Sequence, residues 1–204
     1  MPTGRKLKLN RRAERMDDTR RRIARATFEL HSTVGPAYTS VLAIAARAGV
    51  QRVTVYKHFP LERELHQACV EHGFSLDPPP DPASWLETPD LGLRLRRALN
   101  ELYSWFWRNE GLLANVSRDL LVVLPRFQGD PPPALVAFMA MPGQLRDALA
   151  QGWPASGDAP FMATLGLAVE FQTCHALAHQ GLNVEQSVAL MAHLVECAGL
   201  NVSR

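Results

Sequence analysis

Cysteine is scarce in this chain of 204 residues: Cys69, Cys174 and Cys197 are the full set, widely spaced and in no Cys-x-x-Cys pair. That argues against a disulfide framework or a thiolate zinc finger and for free thiols, buried in a reducing cytoplasm. Long apolar runs are also missing. Nothing approaches the roughly 18 uninterrupted apolar residues that a membrane span needs. The basic start, MPTGRKLKLNRRAERM, has no apolar stretch behind its charges, so it does not read as a secretory signal. Strand-like alternation is rare. A Gly-rich phosphate loop, a nucleophile motif and a catalytic pair of carboxylates are absent as well, and no enzyme activity, cofactor or metal is expected on those grounds.

What is present is helical periodicity broken by 15 prolines and 13 glycines. The net charge of +2 conceals a division. Residues 1–60 carry 13 Lys/Arg against 4 Asp/Glu, which is +9, and residues 61–204 carry 9 against 16, which is −7. A basic amino-terminal third on an acidic body points to a polyanionic partner at one end.

Residues 1–15 read as a basic, low-apolar, flexible arm. In TRRRIARATFELHSTVG, Ile23, Ala26, Thr27 and Leu30 recur at helical spacing, with Asp17 or Asp18 as the cap and Gly35 as the stop. Ser40 caps a second helix over Val41–Ala48, whose Ile44, Ala45 and Ala48 form a small-residue face. Gly49 supplies a sharp turn. A third helix from Arg52 to Phe59 buries Val55 and Phe59, and Pro60 opens a fourth that reaches about Gly73.

SLDPPPDPASWLETPD reads as a loop. Asp90 caps a helix over Leu91–Asn109 with Leu95, Leu99, Leu102 and Phe106 facing inward. Further helices are expected over 111–124 and Pro133–Gln151, followed by two long ones, Phe161–Gln180 and Val184–Ala198. Asn183 and Gln186 resemble a capping box at the start of the last.

Three short helices with a glycine turn between the second and third form a helix-turn-helix unit. The major groove of DNA admits one helix, and the third helix here is short and polar. Gln51 and Arg52 stand at its start, where base edges are met. Thr54 and Tyr56 offer hydroxyls, and Lys57 and His58 offer heads for phosphate.

IARATFELHSTVG followed by TSVLAIAARAGVQRVTVYKHFP resembles the DNA-binding segment of the TetR/AcrR family of transcriptional regulators. The shared features are I-x-x-A-x-x-x-L with the glycine after it, T-x-x-x-I-A-x-x-A-G-V and the T-x-Y-x-H-F that ends the third helix. The match spans roughly residues 20–65. The resemblance implies an all-α, TetR-like homodimer of about nine helices, with a helix-turn-helix DNA-binding domain over 16–60 and a ligand-binding and dimerisation domain over 61–204.

It implies too that Gln51, Arg52 and Lys57 face bases or nearby phosphates, that Thr54, Tyr56 and His58 clasp the backbone, and that Ser40 touches phosphate. Two positions depart from the family pattern. A lysine that opens helix four is replaced by Glu62, with Arg63 beside it; either Arg63 substitutes or the contact is absent. His31 stands where an aromatic residue is usual and reads as a partly buried core residue.

In the body, Trp105, Phe106, Phe138, Met141, Phe171 and His175 are the candidate lining of an apolar pocket for a small apolar or aromatic molecule. Val184, Val188, Met191, Val195 and Ala198 form a stripe suited to a dimer interface, with burial inside one chain as the other reading. His175 and His179 lie one helical turn apart near Glu170 and Cys174. That spacing can bring two imidazoles to one metal, but there is no His-Glu-x-x-His motif and no second ligand pair.

The expected function is that of a cytoplasmic, ligand-responsive, sequence-specific DNA-binding regulator. It would be a repressor released from its operator by an effector. The alternative is a small helical metal-dependent enzyme built on Glu170, Cys174, His175 and His179.

Overall fold

The computed structural model describes residues 4–200, with side chains from Arg11 onward except that of Arg12. Residues 1–3 of the expected arm lie outside the described residues. Helices α1 (Gly4–Thr33), α2 (Val41–Ala48), α3 (Arg52–His58) and α4 (Glu62–Leu76) come first. After them run α5 (Pro82–Trp85), α6 (Leu91–Arg108), α7 (Glu110–Val123), α8 (Pro133–Ala150), α9 (Ala159–Val169), α10 (Phe171–His179) and α11 (Val184–Leu200). Short 3₁₀ turns occupy Pro36–Tyr38 and Leu124–Phe127. The fold is all-α, and the described residues contain no strand.

The count of eleven helices among the described residues exceeds the expected nine for identifiable reasons. In the proline-rich loop, Asp81 accepts the N–H of Ala83 and winds one turn, α5, that carries buried Trp85. The long helix expected over 161–180 is two helices, because Glu170 takes an extended conformation (φ −80°, ψ 136°). A break of this kind frees carbonyls, and the Tyr103 hydroxyl donates to that of Ala168 at 2.8 Å.

Two boundaries also move. α1 begins at Gly4 rather than at an Asp17 or Asp18 cap, since no proline or glycine interrupts residues 5–33 and most of them are good helix formers. Pro60 lies outside α4, which starts at Glu62, and the Glu64 carboxylate accepts the N–H of Leu61 just ahead of it.

Contacts divide the chain into two compact units, Met1–Leu76 with Ala114–Val136 and Asp77–Leu113 with Ala137–Arg204. In the first, α1 packs on α2 and α4, and α2 packs on α3. Ile23, Ala26, Ile44, Ala45, Ala48, Val55, Phe59 and Leu65 form the core. The end of α1 is tied by segment 114–136. Asn115 donates to the carbonyls of His31 and Ser32, and Arg118 donates to that of Val34. Asp119 accepts the N–H of Ala37 at 3.0 Å.

His31 is buried beside Cys69, whose sulfur lies 3.5 Å from its Nδ1, and beside the ring of His66. Burial first, and then His66, lowers its pKa to about 3, so the imidazole is neutral.

In the second unit α6 is central. Leu95, Ala98, Leu99, Leu102, Tyr103, Trp105 and Phe106 are buried along it, and Asp90 caps it by accepting from Leu93. α11 packs on α6 and α9. Its start is a reciprocal capping box, with Asn183 accepting from Gln186 N–H and Gln186 accepting from Asn183 N–H. Cys69 and Cys174 are buried and Cys197 is half-buried; all three are free thiols.

Candidate nucleic-acid interface

The turn between α2 and α3 is set by Gly49, which takes the left-handed conformation (φ 65°, ψ 41°) and donates to the carbonyls of Ala45 and Ala46. Any side chain there is strained by that φ and meets the Arg22 guanidinium. Arg22 reaches from α1 to the carbonyls of Ala48 and Gly49, at 2.5 and 3.3 Å. Arg20 does the same for α3, donating to the His58 carbonyl at 2.6 Å while its guanidinium carbon sits 4.1 Å from the centre of the Phe59 ring. Two arginines of the basic segment thus hold the ends of the helix-turn-helix pair. They complement the negative carboxyl ends of those helices.

α3 turns Val55 into the core and leaves Gln51, Arg52, Val53, Tyr56 and Lys57 exposed, with Thr54 and His58 half-buried. Gln51 precedes the helix in an extended conformation and makes no side-chain cap bond, so its amide is free to meet a partner. Arg52 Nη2 donates to the Tyr56 hydroxyl at 3.0 Å, with its guanidinium carbon 5.4 Å from the centre of that ring. Ser40 is exposed, but its Oγ accepts from Ala43 N at 3.1 Å as the cap of α2. Its hydroxyl proton stays available to an acceptor. Burial, followed by the charges of Arg20 and Lys57, lowers the pKa of His58. His58 is therefore a neutral hydrogen-bonding group at neutral pH, not a cation.

Val53, which sequence reading passed over, joins this face, and two more apolar residues nearby in the chain are exposed. Val53 is 67% exposed on α3, and Leu42 and Tyr38 are exposed at and before the start of α2. Helical spacing could have shown Val53, because it falls on the side opposite Val55. An exposed valine among donors suits the methyl group of thymine. Arg47 is engaged with Glu29 at 3.1 Å.

At the start of α4, Glu62 faces Arg126 at 3.6 Å and His66 at 3.8 Å. Those two, with the His66 hydrogen bond foremost, hold its carboxyl below the usual range. Arg63 is ion-paired with Asp130.

In the body the structure brings together only part of the expected pocket. Phe106, Phe171 and His175 line one crevice with Trp107, Glu110 and Cys174, and its volume is about 10 Å³. Trp105 is buried beside Phe106, its Nε1 donating to the Asp77 carbonyl at 3.0 Å. Phe138 and Met141 are half-buried and do not line that crevice.

The stripe on α11 needs correction. Val188, Met191 and Val195 are buried inside the chain, where α11 packs on α6 and α9, and Val184 and Ala198 are half-buried. Periodicity reported a buried face, but the cover comes from the same chain. The cluster proposed around Glu170 and Cys174 also differs: it is Glu110 that approaches His175 and His179.

Three helices locked by arginine clamps, with a polar third helix projecting from a glycine turn, define a helix-turn-helix DNA-binding domain. Residues 23–69 match the family model described as bacterial regulatory proteins, tetR family. The match covers the helix-turn-helix segment, about a quarter of the chain, and makes that segment similar to the DNA-binding part of those regulators. No curated protein and no solved structure gives a significant match. Among the described residues, no helix is long and apolar enough to cross a membrane.

Proposed function

We propose that the protein is a cytoplasmic homodimeric repressor that reads a palindromic operator through α3 and leaves it when a small molecule binds the body. The observation that carries the DNA-reading part is the composition of the exposed face of α3. Gln51, Arg52, Val53, Tyr56 and Lys57 stand on it together, and the Gln51 side chain makes no cap bond. Arg52 is the base reader, a guanidinium suited to the two acceptors of guanine. Lys57, the neutral His58, Thr54 and Ser40 serve phosphate.

Release requires an effector with different affinities for operator-competent and incompetent conformations of the protein. Phe106, Phe171, His175 and their neighbours supply an apolar lining, and an apolar or aromatic effector suits them. A crevice of about 10 Å³ is far below the several hundred Å³ of an ordinary ligand site. An effector of that size at this crevice would need a more open body than this one.

Selection from random duplex DNA tests the reading. The expected product is a two-fold symmetric motif whose binding falls steeply with salt, about −0.9 in the log–log slope for each phosphate neutralised. A flat salt dependence, or no enriched motif, overturns it. A promoter carrying that motif should be repressed when the protein is present, and activation would reverse the sign of regulation.

A further inference from the structure

We propose that Glu110, His175 and His179 form a binding site for a first-row divalent transition ion of the zinc class. The two histidines are one turn apart on α10, and Glu110 is the first residue of α7. Their Nε2 atoms are 3.0 Å apart, and the rings meet edge to face at 88° with centroids separated by 4.3 Å. Donors about 2.0–2.1 Å from a tetrahedral ion stand about 3.3 Å from one another, so the imidazole pair is close to a ligating geometry. One ligand atom from each of the three residues lies within 4.8 Å of the other two.

Two imidazoles and one carboxylate suit zinc and its transition-metal neighbours. Calcium and magnesium take oxygen donors instead. The two imidazoles ligate directly and Glu110 backs the His175 ring, which leaves the remaining positions for water.

A second observation points the same way. His175 Nδ1 is buried and lies 3.2 Å from Glu110 Oε1, yet it makes no hydrogen bond. A buried polar atom with no partner is costly. His175 turns one ring nitrogen toward Glu110 and the other toward His179. An ion held between the two Nε2 atoms fixes the proton on Nδ1, which then donates to Glu110 and gains a partner. The crevice beside it, lined by Glu110, His175, Cys174, Phe106 and Phe171, has about 10 Å³ of room. That is on the order of one water.

The site stands independently of the DNA-reading proposal, since none of its three residues lies in the matched segment 23–69. The test uses the full chain without an affinity tag, stripped with a chelator. Zinc alone is titrated by calorimetry, and cobalt alone by visible absorption. One ion per chain is expected, with a tetrahedral cobalt spectrum. His179→Gln should weaken binding about 100-fold and Glu110→Gln at least about 10-fold, with circular dichroism unchanged. His193→Gln, which removes the histidine paired with Cys197 on α11, should leave it intact. Absence of binding overturns the proposal. So does binding that survives His179→Gln or is lost with His193→Gln.

Discussion

Arg52 and Tyr56 are separate readers only if their side chains act separately, and in this structure the tyrosine hydroxyl accepts a hydrogen bond from the guanidinium. The bond and the ring beneath it limit the rotamers of an exposed arginine, presenting a preformed fork. Arg52→Ala should relax preference at particular base pairs by roughly 1–3 kcal/mol while leaving the rest of the motif unaltered. Tyr56→Phe removes the acceptor as well as a phosphate donor. It should therefore lower affinity for every duplex and additionally blur the base pairs that Arg52 reads. A double-mutant cycle scored on motif and off-motif duplexes checks this: the two substitutions should be non-additive on the motif and additive off it. Full additivity on both would show that the bond has no part in recognition.

At the scale of elements, the head is a set of helix ends held by distant side chains. Arg22, Arg20, Asn115 and Arg118 each occupy carbonyls at or just past the end of α2, α3 or α1. The joint between α1 and α4 carries a pH liability. His31 is 4% exposed and faces His66 and Cys69, with the Asp119 and Glu62 carboxylates near enough to oppose its pKa shift. Its folded pKa of about 3 lies below the ordinary 6.5. Between those values the unfolded chain binds the extra proton, so stability must fall as pH drops through that window, by at most about 1.4 kcal/mol per pH unit from this group. Above pH 6.5 the group makes no such contribution. His31→Phe should flatten the acid limb of a denaturation series between pH 6 and 4, provided that the ring is accommodated at neutral pH. An unchanged limb would assign the acid sensitivity to other groups.

The same scale shows what sequence makes legible. α2, the glycine turn, α3 and the Asp90 cap of α6 depend on local signals, a cap residue or a left-handed glycine, and all four are where spacing puts them. The break at Glu170 carries no such signal. It is neither proline nor glycine, and the hydroxyl that takes the freed carbonyl comes from Tyr103, far away in sequence. The interface shows the same split. Gln51, Arg52, Tyr56 and Lys57 are exposed on the expected face, since one buried valine fixes the helix rotation. Two of the three residues of the histidine cluster are visible as an i, i+4 pair, whereas Glu110 joins it only through tertiary packing.

For the whole molecule, the dimer proposal changes its face but keeps its logic. One α3 presents a handful of contacts, and two heads joined together make the second encounter intramolecular and multiply specificity. Met191 cannot test this, because it is 5% exposed inside its own chain and a charge there would disrupt the monomer first. The available surface is the other side of α11, where Leu190 and Leu194 are exposed, the latter by 44%. Their spacing of four residues places both side chains on one stripe. Leu194→Glu leaves the buried stripe intact, so the monomer should stay folded with a circular dichroism spectrum like that of the parent. Two carboxylates brought together across a twofold axis would repel and lose water, and the dimer should dissociate in sedimentation. Operator affinity should fall at least about 100-fold, reflecting lost effective concentration rather than any damage to α3. Weak binding to unrelated duplexes should change far less, since each head retains its phosphate contacts. A Leu194→Glu protein that remains dimeric would move the interface elsewhere. One that is monomeric yet binds the operator at full strength would show that a single head suffices.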